Sequence, residues 1–260
     1  MRLFTVFGLV ISLIMFATSA FAAKMAYVVV YEFPPYYSAH MPKHITGMLV
    51  EALNEHQTEY EFVLREVRPS KRYKAITENG CCDLLFFESS VWGWGDSGDY
   101  QWGLGLTSSA ERFYVLNEMV ENNNLHFDYK GANRIGGVHG YNYRFAGNTT
   151  DPAILEEQYK LYTANNPMSV LQMLAGKRVD MAILNDDFVS WAQHLGFDGA
   201  YDITGSKIVD QEFITKVVVN THGRLSVEYV NELVQELKEN GVLHEILAEF
   251  GIAHLIYKDN

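Results

Sequence analysis

Residues 26–31, AYVVVY, form an unbroken run of β-branched and aromatic side chains that stops at Pro34-Pro35. That pattern predicts a buried strand ended by a rigid turn. GMLVEALNEHQ, 47–57, spaces Met48, Leu49, Ala52 and Leu53 at helical intervals behind a glycine, which predicts an amphipathic helix. YEFVLREV, 60–67, alternates in part and predicts a second strand. RPSKRYKAITENG, 68–80, predicts a helix led in by Pro69 and closed by Gly80. DLLFF, 83–87, predicts a third strand covered on both faces. The β-α-β-α-β order implies a parallel sheet, with ligands expected beyond the carboxyl ends of its strands.

A second unit repeats this grammar. RIGGVHGYNY, 134–143, predicts a strand running into a glycine turn, and DPAILEEQYKLYT, 151–163, a helix opened by Asp151 with Pro152 at its first position. MSVLQMLAGKRVDMAILND, 168–186, predicts a helix, a Gly-Lys-Arg turn and a strand ending at Asn185-Asp186-Asp187, echoing residues 70–88. The tail, from Leu225, predicts two amphipathic helices separated by Gly241. No low-complexity linker separates the units, so short crossings must join them.

The N-terminus changes the picture of where the chain works. Arg2 precedes an uncharged apolar stretch, FTVFGLVISLIMF, and then ATSAFA, ending in the small-x-small pattern Ala20-Phe21-Ala22. This is the order of a secretory signal peptide over residues 1–22, cleaved after Ala22. The apolar run is short for a membrane span, and no cysteine stands at the cleavage point for a lipid anchor. The expected mature chain is exported, free in the periplasm, and large enough for one big domain or two modest ones. A formal net charge of −12 disfavours nucleic acid and anionic lipid as partners. Aromatic residues make up 13% of the chain: on one reading they fill cores, on a sharper one many line a site where flat ligands stack.

Cys81 and Cys82 are the only cysteines. They read first as two small buried hydrophobes ahead of a strand, second as a vicinal disulfide, and third as metal ligands, for which the spacing is wrong. His40 and His44 are four apart, but Pro42 between them argues against a zinc pair on one helix face.

Taken in order, the signal peptide, strand-PPYY, helix, strand, helix-GCCDLLFF, GGVHGYNY, LAGKRVDMAILND and helical tail resemble the periplasmic solute-binding proteins of the polar amino-acid type, which serve ABC importers. The resemblance covers the mature chain. It implies a type II periplasmic binding protein fold: two α/β lobes, each a mainly parallel sheet flanked by helices, closing on a small-molecule ligand between them. Lobe 1 would comprise residues 23–112 plus 214–260, and lobe 2 residues 113–213. It further implies a monomer with no cofactor and no metal, and an inner-membrane ABC permease as partner. One departure stands out. Amino-acid binders of this kind place an arginine shortly after the aspartate matching Asp83, to clamp the ligand carboxylate. Here that stretch is SSVWGWGDSGD, and no arginine lies between Arg72 and Arg112.

On this analogy the turn after the first strand supplies Tyr31, Glu32, Pro35 and Tyr36. Arg68 and Arg72 would share a helix start, with Arg72 the better candidate to grip a carboxylate. Glu88, at a buried strand end, would meet Arg72, orient a ligand group or emerge into solvent. Of Trp92 and Trp94, one would stack on ligand while the other packs inward. Gly140, Tyr141 and Asn142 match a turn that receives a ligand's anionic end, with Tyr143 and Arg144 beside it. Asn185 and Asp186 end the last strand, where a carboxylate for a ligand amine is expected. Two other classes stay open. An enzyme on the same scaffold would need an acid/base pair such as Glu88 with Asp186 or Glu32, and no G-x-S-x-G motif is present. A sensor would bind ligand and dock on a membrane receptor without importing anything.

Overall fold

The computed structural model describes residues 23–121, 132 and 134–258; the expected leader, residues 1–22, lies outside them. In chain order the elements are β1 (Lys24–Val30), α1 (Ile45–His56), β2 (Tyr60–Glu66), α2 (Arg72–Ala75), β3 (Leu84–Glu88), β4 (Tyr100–Leu116), α3 (Asn117–Glu121), β5 (Ile135–Val138), α4 (Pro152–Tyr159), β6 (Leu161–Ala164), α5 (Pro167–Ala175), β7 (Met181–Asn185), α6 (Asp186–His194), β8 (Ile203–Asn220), α7 (Val227–Glu239) and α8 (Val242–Glu249).

Helix starts follow their capping residues. His44 Nδ1 accepts the Gly47 N–H at 2.9 Å and opens α1, so this histidine caps the helix. Asp151 Oδ1 accepts from the Ala153 N–H at 2.9 Å ahead of Pro152, and Ser226 Oγ from the Tyr229 N–H at 3.2 Å. Gly241, at φ 85°, separates α7 from α8 as its sequence position predicts.

The strands form one sheet in the order β2-β1-β3-β8-β4-β7-β5-β6. β1, β2 and β3 are mutually parallel at one end, and β5, β6 and β7 at the other. Between them β4 and β8, of 17 and 18 residues, run antiparallel to each other and belong to both ends. The divisions expected at 112/113 and 213/214 fall inside these two strands. Leu84 to Phe87 and Met181 to Leu184 are fully buried, the double coverage expected of central strands. Asp83 is buried too, accepting from the Tyr27 N–H at 2.8 Å and the Arg224 N–H at 2.9 Å, which ties β1 to the segment before α7. Among the described residues, no helix is long and apolar enough to cross a membrane.

Three expectations are corrected. The helix expected over 68–80 shrinks to a 3-10 turn and the single turn α2, because the Ala75 carbonyl accepts the Cys82 N–H at 3.0 Å instead of continuing a helical ladder. The helix expected over 151–163 ends at Tyr159: Lys160 adopts φ 56°, and residues 161–164 pair with β5 as a strand. Cys81 and Cys82 are not two buried hydrophobes. They are joined to each other, with Cα atoms 3.7 Å apart, and Cys81 is exposed while Cys82 is buried. An exposed thiol gains nothing from packing, which is why the burial argument fails for this pair.

Candidate ligand cleft between the halves

β1 delivers its chain into Tyr31-Glu32-Phe33 and the cis Pro34-Pro35 bond. Backbone bonds of 2.8 and 3.0 Å between Phe33 and Tyr37 close this turn. The Tyr31 and Phe33 rings stack with centroids 5.8 Å apart, and Phe33 meets Trp92 edge-on at 5.4 Å. Tyr36 is buried and committed elsewhere. Its hydroxyl donates to Asp187 Oδ2 at 2.8 Å and lies 3.2 Å from Thr107 Oγ1. Glu32 is half-buried, and burial raises its carboxyl above the ordinary range.

Phe87, a non-glycine residue at φ 60°, bulges the end of β3 and sets the position of Glu88. Glu88 is fully buried, with Oε1 3.3 Å from Arg72 Nε and Oε2 accepting the Trp94 indole N–H at 2.8 Å. Arg72 is also buried. Its remaining donors reach the Pro69 carbonyl at 2.8 Å and the Tyr73 hydroxyl, and its guanidinium lies 5.3 Å from the Tyr31 ring centre. Burial works to lower the guanidinium's proton affinity, but Glu88, Tyr31 and Tyr73 outweigh it and hold the charge.

From the other half, Gly140 at φ 81° turns the chain after β5 so that Tyr141 and Asn142 face the first half. Tyr141 donates to the Glu32 carbonyl at 3.5 Å and meets Phe33 edge-on at 6.1 Å. Asn142 sits against Gly93, where an added Cβ would lie 2.4 Å from the amide nitrogen. Asn185, the last residue of β7, faces the same space. Glu111 of β4 completes it. This carboxyl is 2% exposed, and its Oε2 has no hydrogen-bond partner among the described residues. Burial, then the charges of Asp210 and Asp187, push it well above the usual carboxylate range. The enclosed cavity measures about 20 Å³, lined by Tyr31, Phe33, Arg72 and Trp92 on one side and by Glu111, Tyr141, Asn142 and Asn185 on the other. That is room for a water or two.

No family model and no curated protein matches the sequence. Solved structures do match its shape. The glutamate-bound GluR0 ligand-binding core of Nostoc punctiforme superposes with a TM-score of 0.65 at 13% identity, over 86% of this chain and 98% of its own. A histidine kinase sensor domain with similarity to periplasmic binding proteins gives 0.62 at 14% identity, over 88% and 96%. A variant of ArgBP from T. maritima gives 0.61 at 12% identity, over 88% and 95%. The chain has the two-lobed periplasmic binding protein fold. At these identities the likeness establishes the fold and nothing about the ligand.

Within this binding-protein fold the cleft gathers six of the residues singled out in the sequence: Tyr31, Arg72, Trp92, Tyr141, Asn142 and Asn185. The others stand outside the lining. Pro35 and Tyr36 support the turn from behind, and Glu88 backs Arg72. Arg68 is exposed and does not share a face with Arg72. Trp94 packs on Tyr73, Tyr100 and Trp102, with centroids 4.8, 4.8 and 5.5 Å away, outside the lining, and Trp92 is the more buried of the pair. Tyr143 is buried in the second lobe, where its hydroxyl accepts the Val138 N–H at 2.6 Å. Arg144 is exposed, its N–H and that of Phe145 held by the Asp210 carboxylate at 2.8 Å each. Asp186 pairs with Arg112 at 2.6 Å and accepts from the Tyr114 hydroxyl at 2.5 Å, in a separate open groove along β4 and β8. The acid/base pairs considered for a catalyst are thus dispersed: Glu88 is tied to Arg72 and Asp186 to Arg112. Phe33 and Glu111 were missed. The YEFPPYY turn carries a signal for Phe33, whereas Glu111 is one polar residue inside an irregular strand.

Proposed function

We propose that this protein is an exported binding protein that captures a small organic molecule by closing two lobes on it. The observation that carries the reading is the cleft itself, an aromatic-walled cavity built from both lobes. Its closed form is held by Tyr36–Asp187 at 2.8 Å and Tyr141–Glu32 at 3.5 Å across the gap. Residues 23–112 plus 214–260 form one lobe in this reading and residues 113–213 the other. β4 and β8 act as the hinge. The leader at 1–22 sends the chain to the periplasm, where it works as a monomer without cofactor and hands its ligand to an inner-membrane ABC permease. The neighbours include an amino-acid receptor core, an arginine-binding protein and a kinase sensor domain, so the same capture step also serves a sensor that docks on a membrane receptor.

The test uses the mature chain. A thermal-shift screen over amino acids, aromatic acids, polyamines and short peptides should yield a stabilising ligand that is recovered unchanged. Small-angle scattering should show the chain more compact with that ligand than without. Uptake of the labelled ligand lost on deletion of the protein supports import, and uptake retained with a lost transcriptional response supports sensing. A ligand converted to product sinks the binding reading.

A further inference from the structure

Two features of the cleft remain unexplained by lobe closure alone. Glu111 is a buried carboxyl facing the cavity with an oxygen that has no hydrogen-bond partner among the described residues. Four aromatic side chains, Tyr31, Phe33, Trp92 and Tyr141, wall the same small space, with Phe33 at its centre: 5.8 Å from Tyr31, 5.4 Å from Trp92 and 6.1 Å from Tyr141. Burying a carboxylate without a counter-charge is costly unless it neutralises or gains a cation.

The cation already in the lining does not serve Glu111. Arg72 is matched by Glu88 at 3.3 Å, and that carboxylate also takes the Trp94 indole N–H, so the pair is neutral as a unit. The other charges acting on Glu111 are Asp210 and Asp187, both of the same sign. The described groups around the cavity offer Glu111 no free positive charge, so it holds its proton until a cation enters the space bounded by ring faces and edges. Aromatic faces attract cations, and more strongly when the site is desolvated.

We propose that the ligand of this cleft carries an organic ammonium group, seated against the four aromatic rings with Glu111 as its counter-charge. This rests on the proposed binding function and names the class of ligand. It differs from the arginine-clamped carboxylate expected of a free amino acid. Here the positive end is the recognised end, and Arg72 keeps Glu88 as its partner. Asn142 and Asn185, which share the lining, are left to orient the rest of the molecule.

The experiment is calorimetric titration of the mature chain with choline, phenethylamine and putrescine. It sets choline against its uncharged isostere 3,3-dimethylbutanol and the anionic 3,3-dimethylbutyrate. At least one cation should bind, and the isosteres of choline should bind tenfold or more weakly, if at all. Glu111→Gln, which keeps the shape and removes the charge, should weaken cation binding at least tenfold while its melting curve stays at or above that of the wild type. Phe33→Leu should weaken cations more than it lowers the melting temperature. The proposal is overturned if the uncharged isostere binds as well as choline, if Glu111→Gln leaves cation affinity unchanged, or if no cation binds. A non-cationic compound from the thermal-shift screen that closes the lobes would overturn the ammonium assignment and leave the binding function standing. Absence of any ligand in both experiments would count against both.

Discussion

Arg72→Met is the sharpest perturbation of this cleft, because among the described residues the guanidinium is the cation that pairs with Glu88. Arg72 is 4% exposed and Glu88 0%. Its Nε lies 3.3 Å from Oε1 and 3.4 Å from Oε2, and the Trp94 indole N–H donates at 2.8 Å. Removing the guanidinium leaves a carboxylate in the interior with neutral donors alone, the Trp94 indole and the Tyr31 hydroxyl. Breaking a buried pair in this way costs about 3–5 kcal/mol. For a chain of this size each kcal/mol moves the melting temperature by about 2–4 °C, so the expected drop is roughly 6–20 °C. Replacing both partners with apolar residues tells a different story. Arg72→Met with Glu88→Leu removes the uncompensated charge, and such replacements are often neutral or better.

Urea denaturation of the mature wild type, Arg72→Met, Glu88→Leu and the double variant closes a thermodynamic cycle. Each single substitution strands a buried charge, so the double variant should be more stable than either, with a coupling energy of about 2 kcal/mol or more. Additive losses, or an Arg72→Met variant within about 1 kcal/mol of wild type, would show that the two groups do not depend on each other. The interpretation of Arg72 as a charge already spent would then be wrong, and an anion-gripping role would regain its footing.

Three further outcomes follow from single features. Thiol titration in denaturant should find no free thiol before reduction and two after it, and reducing so small a ring should cost only about 1 kcal/mol. Asp187, pushed up to about 6 by burial, holds its proton longer in the folded state than in the unfolded chain, so its contribution falls as pH rises from about 4 through about 6. Asp187→Asn should remove that loss, roughly 3 kcal/mol before any change in the Tyr36 hydrogen bond is counted, and an offset from wild type equal at pH 4 and pH 7.5 would refute it. Gly93→Ala places a Cβ 2.4 Å from the Asn142 amide on a residue at φ 79°, and should both destabilise and expand the chain in small-angle scattering. Adding Asn142→Ala should restore the compact profile, and unchanged scattering in Gly93→Ala would mean the lobes do not meet there.

The sequence disclosed what local chemistry decides. A β-branched run against Pro34-Pro35 marked β1, and helical periodicity broken at Gly241 marked α7 and α8. Parallel strands followed from the alternation of strand and helix. β4 and β8 were invisible by the same logic. Gly103, Gly105, Ser108 and Ser109 interrupt any alternation in β4, and the strand exists because β8 pairs with it along most of its length. Lys160 ends α4 in a left-handed conformation that no glycine announces. In the cleft, strand ends gave Tyr31, Trp92, Tyr141 and Asn185, since those positions face a ligand in any open α/β sheet. Choosing between neighbours needed three dimensions. Trp92 faces the cavity while Trp94 joins a cluster behind it, and Asn185 faces it while Asp186 turns to Arg112.

Glu111 shows what such a reading cannot reach, and why it matters for closure. Its ladder partner on β8 is Gln211, but the next residue, Arg112, pairs with Val209, so Asp210 is left without a partner. A bulge of this kind interrupts the ladder, bends the strand and adds twist. The displaced Asp210 carboxylate then holds the N–H groups of Arg144 and Phe145, fixing the turn that carries Tyr141 and Asn142 to the first lobe. One irregularity therefore sets three things together: the bend of the crossing strands, the placement of the second lobe's contact turn, and the exposure of an unsatisfied carboxyl to the cavity. A charge placed against Glu111 acts beside one of the register shifts between the crossing strands. On the proposed reading, ligand charge and lobe closure meet at adjacent residues of these two strands.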